Sequence, residues 1–235
     1  MYRVHSDFND TVRVRTGFKK LDGKICLNKG ELVVIAGRPA IGKTSFVCDI
    51  IKNTLIYQGC LFFTMQLKEH KKISDLIDYS LNNNGRFSVV KDIYDFDSVL
   101  LKAAEERIFC GLELVVIDNF SDFLNCSHYS ENTLILKLKE MALKLGVCVV
   151  VISNTLTNKK FYSTYKDMEC KGLIVHSDKI LSIYRPDLTY DELECEINVI
   201  EENVAVVSLE KGIDSSWYGD VAFKFDNKER TFTEK

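Results

Sequence analysis

This sequence predicts an α/β fold, a mostly parallel central sheet with helices on both faces, and three observations lead to it. Short β-branched apolar runs alternate with amphipathic stretches of helix length, the pattern of successive strand–helix–strand units. The first strong run, Leu32-Val33-Val34-Ile35, leads into a glycine-rich turn and then into helix-period residues. Only two prolines occur in 235 residues and no Gly/Ser-rich stretch marks a linker, so 46% apolar residues are expected to build one core.

Taken in order, the segment after Gly42 reads as a helix to about Tyr57, with Gly59 as its cap before the strand Cys60-Leu61-Phe62-Phe63. Ile73, Leu76, Ile77 and Leu81 mark one face of a second helix, which the Asn82-Asn83-Asn84-Gly85 cluster terminates. Ser98 to Phe109 is a third helix, and Leu114-Val115-Val116-Ile117 follows as a fully buried strand closed by Asp118. A helix from about Glu131 to Leu145 leads to the strand Val147 to Ile152, and a polar stretch runs from Asn154 to Lys171. Lys179 to Tyr184, Asn203 to Leu209 and Val221 to Phe225 read as strands that extend or flank the sheet.

Composition narrows the function classes. No apolar run approaches bilayer length and the amino terminus lacks the apolar core of a secretory signal, so a cytoplasmic protein is expected and no membrane partner. Eight cysteines are scattered without a C-x-x-C pair, which favours buried reduced thiols over disulfides or zinc. A net charge of −3 does not advertise a nucleic-acid binder, although Arg3, Arg13, Arg15, Lys19 and Lys20 crowd the first twenty residues. Asp187 to Glu202 holds seven acids and no Lys or Arg, and would face away from any DNA.

The chemistry-bearing motif is Gly37-Arg38-Pro39-Ala40-Ile41-Gly42-Lys43-Thr44, which fits the phosphate-loop template G-x-x-x-x-G-K-[ST], with Ser45 next. A strand ending in such a turn aims successive backbone N–H groups at phosphates, and the helix N-terminus adds positive partial charge. Lys43 then reaches the outer phosphates, while the Thr44 hydroxyl joins the shell of Mg²⁺. A nucleoside triphosphate and Mg²⁺ are therefore the expected ligands. Asp118, at the end of an apolar strand, is the second metal candidate, since a strand-terminal carboxylate can hold Mg²⁺ through water.

Thr16-Gly17-Phe18-Lys19-Lys20-Leu21-Asp22, the Gly-Arg-Pro opening of the loop, and the element spacing up to Ile183-Tyr184-Arg185 resemble the carboxy-terminal motor domain of DnaB-type replicative DNA helicases. The resemblance runs from about Thr16 to Phe232, so residues 1–15 are read as a short amino-terminal arm and 16–235 as the ATPase domain. It implies a RecA-like core and a homo-oligomer, six subunits in the family. It further implies ATP bound between neighbours and hydrolysis that moves single-stranded DNA during replication. Lys43, Thr44 and Asp118 match the family's phosphate and metal positions. Asn154 falls where the family has a Gln that senses the γ-phosphate.

Three departures stand beside that resemblance. The strand Leu61 to Gln66 carries Gln66 where the family delivers a glutamate, and an amide can orient water but cannot accept its proton; Glu69 lies nearby as a substitute. Val207-Ser208-Leu209-Glu210-Lys211-Gly212 keeps only Lys211, in the position of an arginine that reaches across the subunit interface, with Leu209 in place of a lysine. The family's amino-terminal domain, which recruits primase, is not evident ahead of Thr16. Lys159 and Lys160, with Phe161 and Tyr162, are candidates for DNA contacts. The alternative reading is a non-hydrolysing or slow nucleotide-gated module that binds DNA or protein.

Overall fold

The computed structural model describes residues 13–65, 71–91, 95–156, 165–186, 203–212 and 219–235. A two-stranded antiparallel ribbon, β1 (Arg13–Val14) with β2 (Leu27–Asn28), brackets the short helix α1 (Lys19–Asp22). Between them the Thr16 to Asp22 motif closes on itself. The Asp22 carboxylate accepts from the Thr16 amide at 2.8 Å, its hydroxyl at 2.7 Å and the Gly17 amide at 3.0 Å. Gly17 has φ +76°, and a Cβ there would lie 2.4 Å from Asn53 Cβ, so the turn requires glycine.

The main sheet is built from β3 (Leu32–Gly37), β4 (Gly59–Thr64), β5 (Phe87–Lys91), β6 (Leu112–Asp118), β7 (Cys148–Asn154), β8 (Lys179–Tyr184), β9 (Val204–Gly212), β10 (Asp220–Asp226) and β11 (Thr231–Glu234). Its order is β11-β10-β9-β8-β3-β7-β6-β4-β5. Pairing is parallel from β5 through β8 and antiparallel from β8 to β11. The helices are α2 (Lys43–Thr54), α3 (Lys71–Asn82), α4 (Phe96–Cys110), α5 (Phe120–Cys126), α6 (Glu131–Leu145) and α7 (Lys171–His176).

Strand periodicity sorts side chains onto two cores. Val33 and Ile35 of β3 face α2 and α3, joined there by Phe223, Phe225 and Phe232 of the C-terminal strands. Leu32, Val34 and Ala36 face the layer of α4, α5, α6 and α7. Both faces of the parallel strands are thus covered, which is why those strands read as unbroken apolar runs. Phe46 of α2 stacks on Phe18 at 5.6 Å between centroids and meets Phe223 and Phe232 edge-on at 5.6 and 5.2 Å.

Several expectations are corrected. The helix after the loop ends at Thr54, where its side chain turns back onto Ile50, and Gly59 begins β4 rather than capping the helix. The third helix starts two residues early, because the Asp95 carboxylate caps it by accepting from the Ser98 amide at 2.8 Å. The short strands β1, β2, β5 and β11 and the helices α1, α5 and α7 had no sequence-level forecast. Among the described residues the cysteines are free; Cys48, Cys60, Cys148 and Cys170 are buried, whereas Cys110 and Cys126 are exposed. No helix among the described residues is long and apolar enough to cross a membrane.

Candidate nucleotide-binding site

Register brings the predicted polar residues together. β7 lies between β3 and β6, with Gly37 opposite Asn154 and Asp118 opposite Ile152, so three parallel strands end side by side. Their carboxyl ends border a cavity of about 470 Å³, where ligands of open parallel sheets collect. The loop between Gly37 and Lys43 forms its floor. Ala40 at φ +62° and Gly42 at φ +110° turn the backbone into a concavity, and no side chain caps the start of α2. First-turn N–H groups are therefore left for an anion.

Lys43 is buried, and its ammonium donates to Gly37 O at 2.9 Å, Arg38 O at 2.8 Å and Asn154 Oδ1 at 2.9 Å. Burial lowers its pKa to about 8; the charges of Asp118 and Glu169 oppose that shift. Thr44 Oγ1 donates to Asp118 Oδ2 at 2.7 Å, a hydroxyl and a carboxylate already side by side. These are hard oxygen donors suited to Mg²⁺, so the residues present fit that ion. Pro39, Ala40, Gly42 and Ser45 also line the cavity, whereas Ile41 is buried against the core beneath the loop.

The opposite wall comes from residues the sequence did not single out as site residues. Arg185, just beyond β8, sets its guanidinium 4.4 Å from the Phe225 ring centroid and donates through Nη2 to Asn227 Oδ1 at 2.8 Å. Asn227 and Arg230 occupy the turn between β10 and β11, and Asn119 follows Asp118 at the start of α5. A charged turn, Asp226 to Arg230, between an alternating strand and Phe232 was the available signal for that wall. Glu169 is a further missed neighbour: its amide donates to Asn154 O at 3.1 Å and its carboxylate accepts from Ser121 at 2.9 Å.

One expected catalytic residue, Lys211, whose role was to act across a subunit interface, lies outside this cluster. Lys211 lies on β9, away from the cavity lining, and donates to the carbonyls of Ile174, Val175 and Ser177 at 2.9, 3.0 and 2.6 Å. It caps the C-terminus of α7, where orphan carbonyls favour a cation, and burial lowers its pKa. Leu209 is a core residue. Gln66 and Glu69, the stretch Lys159 to Tyr162 and the acidic run Asp187 to Glu202 lie outside the described residues.

The family model described as DnaB-like helicase C terminal domain matches residues 13–85. A probable replicative DNA helicase of Guillardia theta is 25% identical over 191 residues, 65% of this chain and 32% of that protein. A probable plasmid replicative DNA helicase of Chlamydia psittaci is 26% identical over 188 residues, 65% of this chain and 41% of that protein. The chain therefore spans well under half the length of these two relatives. A solved DnaB-like replicative helicase, described together with its interactions with primase, superimposes with TM-score 0.73 at 20% identity, covering 94% of this chain and 63% of that one. The fold is RecA-like, and residues 13–85 are similar to the C-terminal domain of DnaB-like helicases.

Proposed function

We propose that this chain, as a DnaB-like replicative helicase ATPase domain, binds ATP and couples its hydrolysis to movement along single-stranded DNA as part of a homo-oligomer. The observation that carries the reading is the convergence of Lys43, the Thr44–Asp118 pair and Asn154 at the ends of three adjacent parallel strands. Its DNA side rests on the relatives, which are described as DNA helicases.

The residues divide the work as follows. The loop N–H groups and the start of α2 bind the phosphates, and Lys43 exchanges the Gly37 and Arg38 carbonyls for phosphate oxygens. Thr44 and Asp118 would hold Mg²⁺, which supplies charge neutralisation when bound. Asn154, already bonded to Lys43, presents its amide beside the outermost phosphate. Gln66 orients the attacking water. Arg185, Phe225 and Arg230 form the wall for the nucleoside end, because the phosphate end is fixed by the loop. Lys211, which in the single chain rests on the α7 carbonyls, would have to leave them to act across a subunit interface.

The test is steady-state ATP hydrolysis by the purified chain with and without single-stranded DNA, against Lys43→Ala. Turnover stimulated by DNA and abolished in the variant supports the reading. Tight ATP binding with turnover at the variant's level overturns the motor.

A further inference from the structure

We propose that the ion pair between buried Asp49 and half-buried Lys72 is the positioning element that holds the β10–β11 turn, and with it Arg230, against the nucleotide cavity. The inference rests on the nucleotide-binding reading and assigns the residues that set the nucleoside wall. Asp49 sits on α2, and both of its carboxylate oxygens are used: Oδ1 meets Lys72 Nζ at 2.7 Å and Oδ2 accepts from the Phe232 amide at 2.8 Å. Lys72, at the start of α3, uses its remaining donors on Ser45 O at 3.2 Å and Arg230 O at 2.6 Å. Two side chains thus join the first turn of the phosphate-loop helix, the head of α3, the last residue of the C-terminal turn and the strand β11 that follows it.

A buried ion pair is weak evidence for stability, since apolar residues of similar volume often serve as well. What it supplies here is direction. Arg230 is a non-glycine residue at φ +52°, a conformation that persists only where surroundings hold it. The carbonyl of that same residue is the one Lys72 grips, and its side chain lines the cavity. The neighbouring Phe232 amide is fixed by Asp49, and the Phe232 ring packs on Phe46 and lies close to Gly42 in the loop. Release of the pair therefore frees the Arg230 backbone while the loop and the aromatic cluster stay in place. The nucleoside end of a ligand should sense the change and the phosphates should not.

The experiment measures equilibrium binding of Mg·ATP and of inorganic tripolyphosphate with Mg²⁺ to the full chain. Variants are Lys72→Met, the near-isosteric double change Asp49→Asn with Lys72→Met, Lys72→Arg and Arg230→Ala. The double change leaves no unpaired buried charge, and thermal unfolding checks its fold. Expected is a loss of about tenfold in ATP affinity for the double change and for Arg230→Ala, with no further loss when they are combined. Tripolyphosphate affinity should be unchanged, and Lys72→Arg should recover most of the ATP affinity. Equal losses for both ligands would show general damage to the loop and overturn the proposal, as would an unaltered ATP affinity in either the double change or Arg230→Ala. An unmodified chain that binds neither ligand overturns the nucleotide reading, and the proposal with it.

Discussion

The two sides of the cavity, which the proposed reading assigns to phosphate and to nucleoside, are held by different physics. On the phosphate side, β3, β6 and β7 run parallel and fully bonded, so the positions of Lys43, Asp118 and Asn154 follow from register. On the nucleoside side, a hairpin turn is carried in by antiparallel strands and fixed by a few side chains, Arg185 on Asn227 and Lys72 on the Arg230 carbonyl. The first wall resists substitution until the reacting side chains themselves are removed. The second can be loosened from a distance, and its loss should show as affinity rather than turnover.

The largest expected effect lies on the phosphate side. Lys43→Ala should lower ATP turnover by about 10²–10³-fold with the melting temperature little reduced, since it removes a charge aimed at the transferring phosphate; steady-state rates and thermal unfolding check both halves. Phe46→Ala attacks what the two walls share. Phe46 is fully buried among Phe18, Phe223 and Phe232, so the change should cost about 3–5 kcal/mol in urea unfolding. Arg185→Ala should sharpen the contrast between the walls by raising the KM for ATP about tenfold at nearly unchanged kcat.

Proton linkage gives an effect of similar size to the Arg185 change. Lys43 titrates at about 8 in the folded chain against 10.5 when unperturbed. Between those values the unfolded state holds more protons, so stability rises with pH from about 8 to 10.5 and the full cost of burying the charge stands below 8. A triphosphate favours the charged lysine, so ATP affinity should fall about tenfold between pH 7 and pH 9 as binding comes to require proton uptake. Calorimetry in two buffers of different ionisation enthalpy measures that uptake. The smallest effect belongs to Glu169→Gln, which removes a charge that favours protonated Lys43 and should move the affinity profile slightly toward acid.

That contrast also explains what the sequence disclosed. Gly37 to Thr44, Asp118 and Asn154 were legible because each sits at a fixed offset from an apolar run, and parallel register does the rest. Arg185, Asn227 and Arg230 were not, because their proximity depends on how an antiparallel hairpin folds back over α2, which no local spacing encodes. The edge strands β5 and β11 are short and only partly buried, so they lack a strong pattern. Lys211 is the instructive case: its place in the motif suggested a reaching cation, and the sequence did not disclose the three α7 carbonyls it meets within its own chain.

The contact between the Phe232 amide and Asp49 joins residues 183 positions apart. During synthesis at about 5–20 residues per second, the helix carrying Phe46 and Asp49 emerges roughly 10–40 s before the strand that covers it. Through that interval the nascent chain presents an apolar helix face and a carboxylate oxygen of Asp49 that lacks its Phe232 partner. A ribosome stalled ahead of Phe232 should therefore display a chain that chaperones retain and that ATP does not protect from proteolysis.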